Sequence, residues 1–276
     1  MKLSTNIRRV GRMLGIGNLR AWYKARRLRA LQDKKTDVYI VSAPKAGRTW
    51  LSVLLVKLLS DRFKLENNFS LLDVAFEHPF PGITCTHDLL EPTGRFSFVF
   101  DDARYKDKKV VFLARDPRDV VVSLYHQLTK RQHIFSGDIS VFLRDERYGI
   151  RHIVDFMNLW IAHQQDNAEF LLIRYEDLKA NPRETLASLL SFIGIDGCEP
   201  YLDGAITFAS FDSMRELEKK DFFKDNRLRA KDANDPNTFK VRKGTVGGFR
   251  EELSDSDLQY VNQECTRLSQ AFNYSV

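Results

Sequence analysis

Val38-Tyr39-Ile40-Val41-Ser42-Ala43-Pro44-Lys45-Ala46-Gly47-Arg48-Thr49-Trp50 is the stretch that decides the architecture of this chain. Its first four residues are a short apolar run rich in β-branched side chains, which reads as a buried strand. A turn containing proline and glycine follows, from Ser42 to Arg48. Leu51, Leu54, Leu55, Leu58 and Leu59 then recur at helical spacing, predicting a helix from Thr49 to about Asp61. Strand, tight turn and helix in this order aim backbone N–H groups and a helix N-terminus at one point, the arrangement that holds a phosphate-like anion.

Three further apolar runs read as buried strands: Ile83 to Thr86, Val110 to Ala114 and Phe170 to Ile173. The second and third lead into proline-containing helix starts at Asp116-Pro117 and Asn181-Pro182, with helical patterns reaching about Arg131 and Gly194. Repeated strand-then-helix order predicts an α/β fold, P-loop-like and three-layered, with a central parallel sheet flanked by helices. Ligands of such sheets bind beyond the carboxyl ends of the strands. A further helix is expected after a cap near Ser254. Residues 219–240 are polar and charged and read as a lid-like segment.

The chain has 276 residues, 43% of them hydrophobic and 12% aromatic, enough for a packed core and too many for global disorder. Its formal charge of +6 is unevenly placed. Residues 1–35 hold eleven of the 43 basic side chains and one of the 37 acids, a local charge of +10, so the other 241 residues carry −4. The domain boundaries expected are therefore a basic arm at 1–35, helical in pattern, and a folded domain at 36–276. A basic arm is poor support for a nucleic-acid partner, which would need a basic face on the folded body. Leu14, Leu19, Trp22 and Leu28 among its arginines are compatible with an interfacial membrane helix, but packing on the domain with solvated arginines is the favoured reading. Three scattered cysteines form no C-x-x-C pair and suit a reducing, cytoplasmic setting. No secretory signal or apolar run of membrane-spanning length is present.

The turn at 43–49 lacks the first glycine of a nucleotide P-loop, and its lysine precedes the glycine. It can still cradle one phosphate-like group, with Lys45 as point charge and Thr49 as hydroxyl donor. Arg115, at a strand end, and Ser123, two helical turns on, can converge on a second anion. Arg242-Lys243-Gly244 offers a third cationic clasp whose glycine admits close backbone approach.

Taken together, these segments resemble the sulfotransferases that use 3′-phosphoadenosine 5′-phosphosulfate (PAPS), in particular the cytosolic type acting on small molecules. The Pro-Lys-Ser-Gly-Thr-Thr-Trp loop of that family is similar to Pro44–Trp50. Its Arg and Ser eight residues apart are matched by Arg115 and Ser123, its Tyr-Glu-Asp by Tyr175-Glu176-Asp177, and its Arg-Lys-Gly-x-x-Gly by Arg242–Gly247. The resemblance implies that Lys45, Ala46, Gly47, Arg48 and Thr49 hold the 5′-phosphosulfate. It likewise implies that Arg115, Ser123, Arg242, Lys243 and Gly244 hold the 3′-phosphate. Trp50 would stack on the adenine, with Phe211 of Ala209-Ser210-Phe211 opposite and Tyr175 near the base edge.

His87, which matches the histidine of the family's Lys-Thr-His element, is the implied general base, with Lys45 sharing the catalytic work. An imidazole with a pKa near 6.5 suits proton abstraction at neutral pH. No metal is implied, and the partner is a small hydroxyl or amine acceptor. The chain departs from the pattern at Cys85, where many relatives carry lysine, at Arg48 in place of threonine, and at Ala46 and Ala209, each short of a hydroxyl. Two rivals stand beside this reading. A P-loop kinase would need a Walker lysine-serine pair and a magnesium carboxylate, and a membrane- or nucleic-acid-binding module would work through the basic arm.

Overall fold

Strand β1 (Val38–Ser42) is buried along its whole length and lies in the middle of a parallel sheet of order β2-β1-β3-β4. The computed structural model describes residues 30–65, 80–88, 90, 102–163, 169–223, 228 and 238–275. The other strands are β2 (Ile83–Thr86), β3 (Lys109–Ala114) and β4 (Phe170–Arg174), within a residue of the runs read from the sequence. Ile40 pairs with Cys85 on one side and Val111 on the other, and Val111 pairs with Leu171.

Period-two alternation divides the sheet between two cores. Tyr39, Val41, Val110, Phe112 and Ala114 face one, built around Phe142, Phe156 and Trp160. That core lies under α3 (Pro117–His126), α4 (Ile139–Arg144), α5 (Ile150–Ala162) and α10 (Asp255–Cys265). Val38, Ile40, Val111 and Leu113 face the other, with Leu51, Leu54 and Leu58 of α1 (Arg48–Phe63), Leu189 of α7 (Pro182–Ile193) and Ala205 of α8 (Leu202–Phe208). Three more α-helices are α2 (Asp102–Tyr105), α6 (Tyr175–Ala180) and α9 (Phe211–Lys219). Both faces are covered, which is why the strands are continuous apolar runs rather than alternating ones.

Local chemistry sets the helix ends. Asp116 caps α3, accepting from the Arg118 N–H, with Pro117 in the first turn. Ser254 caps α10 through the Asp257 N–H at 3.2 Å. The helical pattern expected to run from Asp116 to about Arg131 does so, but its last turn, Gln127–Arg131, is π-helical, a form concentrated at functional sites.

The arm boundary shifts. Residues 30–35 are helical and belong to the body: Asp33 accepts from Tyr39 Oη at 2.8 Å and pairs with Arg104 at 2.9 Å. The only acid of the arm is thus its anchor. The rest of the arm, and most of the expected 219–240 lid, lie outside the described residues. Arg118 is buried and clasps Asp116 with two nitrogens, Nε at 2.9 Å and Nη2 at 2.7 Å, while Arg115 takes Asp119 at 3.5 Å.

Candidate active site

In the order 2-1-3-4 the chain leaves β1 and β3 in opposite directions, which opens a crevice between their carboxyl ends. The loops that follow these strands bring in Lys45 and Arg115, and Arg115 Nη1 donates to the Lys45 carbonyl at 3.2 Å. A cavity of about 430 Å³ opens there. It is lined by Lys45, Gly47, Arg48, Thr49, Trp50, His87, Arg115, Ser123, Tyr175, Ser210, Phe211, Arg242, Lys243 and Gly244, every residue the sequence singled out except Ala46. Ala46 is fully buried against the core, and its N–H is spent on the Ala43 carbonyl at 3.3 Å.

The loop after β1 is conformationally demanding. Lys45 has a left-handed φ of 72°, which costs a non-glycine residue about 1–2 kcal/mol. Gly47 has φ 99°, and a Cβ there would sit 2.5 Å from the Tyr175 ring. Tyr175 therefore lies directly against the turn, meets Trp50 edge-on at 5.6 Å, and carries the Arg115 guanidinium 4.5 Å above its face. Trp50 is fixed by its indole N–H, which donates to the Ala209 carbonyl at 2.8 Å. Phe211 is not core: at 37% exposure it lies over Gly244, whose φ of 60° and missing Cβ give the ring room. Ser210 caps α9 behind it, accepting from the Ser213 N–H.

The late glycine turn is held from α3. Asp119 accepts from the Gly247 N–H at 2.8 Å and the Phe249 N–H at 3.1 Å while pairing with Arg115. Tyr175 Oη and Lys179 Nζ both donate to the Gly244 carbonyl. Glu252 receives Arg242 at 2.7 Å, Lys243 at 3.1 Å and His126 Nε2 at 2.5 Å. Burial pushes the Glu252 carboxyl up, but the hydrogen bonds from His126 and Arg242 outweigh it and bring its pKa down to about 2. Of the Tyr-Glu-Asp element, Glu176 faces away from the cavity, accepting from the Asp116 N–H and Tyr274, and Asp177 pairs with Arg174 at 2.6 Å.

His87 directly follows β2, and its Nδ1 lies 2.8 Å from the Ser42 carbonyl, which can only accept. Nδ1 therefore carries the proton and Nε2 keeps its lone pair. Burial, and then the Arg48 charge, hold the imidazole well below its ordinary pKa, so the ring stays neutral. Lys45 Nζ donates to Gln127 of the π-turn at 3.4 Å. Burial and the nearby Lys240, Arg131 and Arg115 charges hold Lys45 well below an ordinary lysine.

Seven cationic side chains and two carboxylates line the cavity. Sequence reading missed four of these groups, Asp119, Lys179, Lys240 and Glu252. Lys179 could have been found four residues after Tyr175, and Asp119 four residues after Arg115. The other two have no local signal. A doubly phosphorylated donor suits this lining: the Arg115 Nε is buried without a partner among the described residues, and no side chain caps the N-terminus of α1 at Gly47. Residues Ile134 to Phe142 do not line the cavity: Phe135 and Phe142 pack with Tyr125 and Tyr148 against the core. Asp88, next to His87, pairs with Arg104 at 3.0 Å.

Comparison with known proteins points the same way. Residues 35–273 match the model of the sulfotransferase domain. Flavonol 3-sulfotransferase of Flaveria bidentis is 23% identical over 82% of this chain and 80% of its own length. Cytosolic sulfotransferase 14 of Arabidopsis thaliana is 26% identical over 83% and 73%. Among solved structures, mouse sulfotransferase SULT7A1 complexed with PAP superposes with a TM-score of 0.62 at 22% identity, covering 84% of each chain, a likeness of fold. With the domain model spanning nearly the whole body and the motifs gathered in one crevice, this chain belongs to the PAPS-dependent sulfotransferase family.

Proposed function

We propose that the cavity binds PAPS and that the chain transfers its sulfuryl group to a hydroxyl or amine of a small molecule, with His87 as general base. The observation that carries this reading is the convergence of cations from four separate segments, Lys45 and Arg48, Arg115, Lys179, and Arg242 with Lys243, on one cavity that also holds a neutral histidine. PAPS supplies an activated sulfuryl group whose leaving group is the 5′-phosphate of adenosine 3′,5′-bisphosphate (PAP). In this reading Lys45, the α1 N-terminus and Thr49 take charge at the phosphosulfate end, and Arg115, Ser123, Arg242 and Lys243 at the 3′-phosphate. Trp50 and Phe211 are the aromatic walls for the base.

The acceptor proton passes to His87 Nε2 as the acceptor oxygen or nitrogen bonds to sulfur and the bond between sulfur and the 5′-phosphate oxygen breaks. Cations already in place stabilise the departing phosphate without reorganising, the larger share of the rate. The reduced Cys85, Cys198 and Cys265 support a cytoplasmic setting. Calorimetric titration tests the donor assignment: PAP is expected to bind in preference to ATP-Mg²⁺, and the reverse preference would restore the kinase reading. An acceptor screen with PAPS, read as a mass gain on the product, tests the transfer.

A further inference from the structure

Residue 85 is a cysteine whose Sγ lies 3.6 Å from Ser52 Oγ, so β2 brings no cation to the end of the cavity closed by Lys45 and His87. Arg48 brings one from α1. Another comes from far along the chain. Lys240 lines the same cavity, and the backbone around it is gripped by a buried carboxylate. Glu218 of α9, 1% exposed, accepts from the Lys240 N–H at 2.6 Å and from the Val241 N–H at 3.0 Å. Arg131 of the π-turn, 7% exposed, pairs with Glu218 at 3.4 Å and also donates to the Thr238 carbonyl.

This grip sets where the Lys240 side chain begins, on the side of the cavity where Gln127 of the same π-turn meets Lys45. The Lys240 charge reaches both neighbours. After burial it is the largest influence lowering Lys45, and it adds to burial and Arg48 in lowering His87 against the Ser42 hydrogen bond. Lys240 thus lines the same cavity as Lys45 and His87, with its backbone fixed by Glu218 and Arg131 of the π-turn that also meets Lys45.

We propose that Lys240 is a catalytic residue whose ammonium meets the sulfuryl oxygens during transfer, the second cation that residue 85 does not supply. This rests on the donor reading above. As the acceptor atom bonds to sulfur and the 5′-phosphate oxygen leaves with the bonding pair, the acceptor proton goes to His87, and Lys240 transfers nothing: it offsets charge on the sulfuryl oxygens.

Lys240→Met, Lys240→Arg and the milder Lys240→Gln, made in the full chain, test it with three readouts. These are PAP affinity, turnover of PAPS with 4-nitrophenol as acceptor probe, and the His87 titration followed by its Cε1 proton resonance. PAP lacks the sulfuryl group, so its affinity should change by less than about threefold, while kcat falls roughly ten- to hundredfold in Met and Gln and recovers in Arg. The His87 titration should move up in Met and Gln and stay in place in Arg, which packing loss alone would not produce. Unchanged kcat and titration with PAP still bound would overturn the proposal, as would a loss confined to PAP affinity, which would make Lys240 a phosphate ligand. Should 4-nitrophenol not be accepted, the titration and the PAP comparison decide. A wild-type protein that ignores PAP overturns the donor reading itself, a separate result.

Discussion

His87 and Gly47 show how much can rest on one residue. The Ser42 carbonyl fixes the tautomer of His87, and burial with the Arg48 charge keeps the ring neutral, so the acid limb of kcat/KM should lie below pH 6.5. Replacing Arg48 by alanine should raise that limb, because one of the charges opposing protonation is gone. His87→Ala should keep PAP affinity within about threefold while turnover falls roughly 10²–10⁴-fold. Near-normal turnover with a true acceptor would remove the base assignment. Gly47 is constrained twice, by its φ of 99° and by the Tyr175 ring 2.5 Å from where a Cβ would go. Gly47→Ala should cost about 1–3 kcal/mol in strain and push Tyr175 off Arg115, read as a lower urea midpoint and weaker PAP binding.

At the scale of elements, the site is assembled by polar ties between segments that are distant in sequence. Asp119 joins α3 to the late glycine turn, and Glu218 joins α9 to the chain entering that turn. Glu218→Ala leaves Arg131 buried with its charge partner lost and two backbone N–H groups without their acceptor. A loss of about 3–5 kcal/mol is expected by chemical denaturation, with Glu218→Gln losing less. Glu252 gathers His126, Arg242 and Lys243. Its folded pKa of about 2 lies below its ordinary 4.5, so the stability it contributes is present above about pH 4.5 and is lost as pH falls toward 2. Glu252→Gln should flatten that part of the stability-pH curve, and a curve as steep as wild type would show that other carboxylates carry it.

For the whole molecule, the +6 charge says little about the chemistry. It is the sum of a +10 arm and a −4 body, within which cations are concentrated at one crevice. The anchoring of Asp33 on Arg104 and Tyr39 sets where the arm can be cut. Removing residues 1–29 should leave PAP binding and melting temperature unchanged. Removing 1–35 deletes the anchor and should lower the melting temperature by several degrees. If both truncations abolish PAP binding, the arm belongs to the site. If activity survives but a membrane or nucleic-acid affinity of the full chain disappears, the arm has a binding role of its own.

The sequence by itself determined the strands, the order of strand and helix, and the motif residues that meet at the cavity. Strands buried on both faces must be apolar runs, and turns that hold phosphate must combine glycine with cations at fixed local spacing, so both are written within ten or so residues. It also marked Phe211 and His87 through short motifs. Only the tertiary structure decided which arginine pairs with which aspartate around residues 115–119, that Ala46 turns inward, and that Asp33 ties residues 30–35 to the body. The placement of Lys240 and Glu252 at the cavity was likewise invisible beforehand. Each depends on contacts between residues tens to more than a hundred positions apart, or on one helical turn of offset, and neither composition nor periodicity encodes a distance in space.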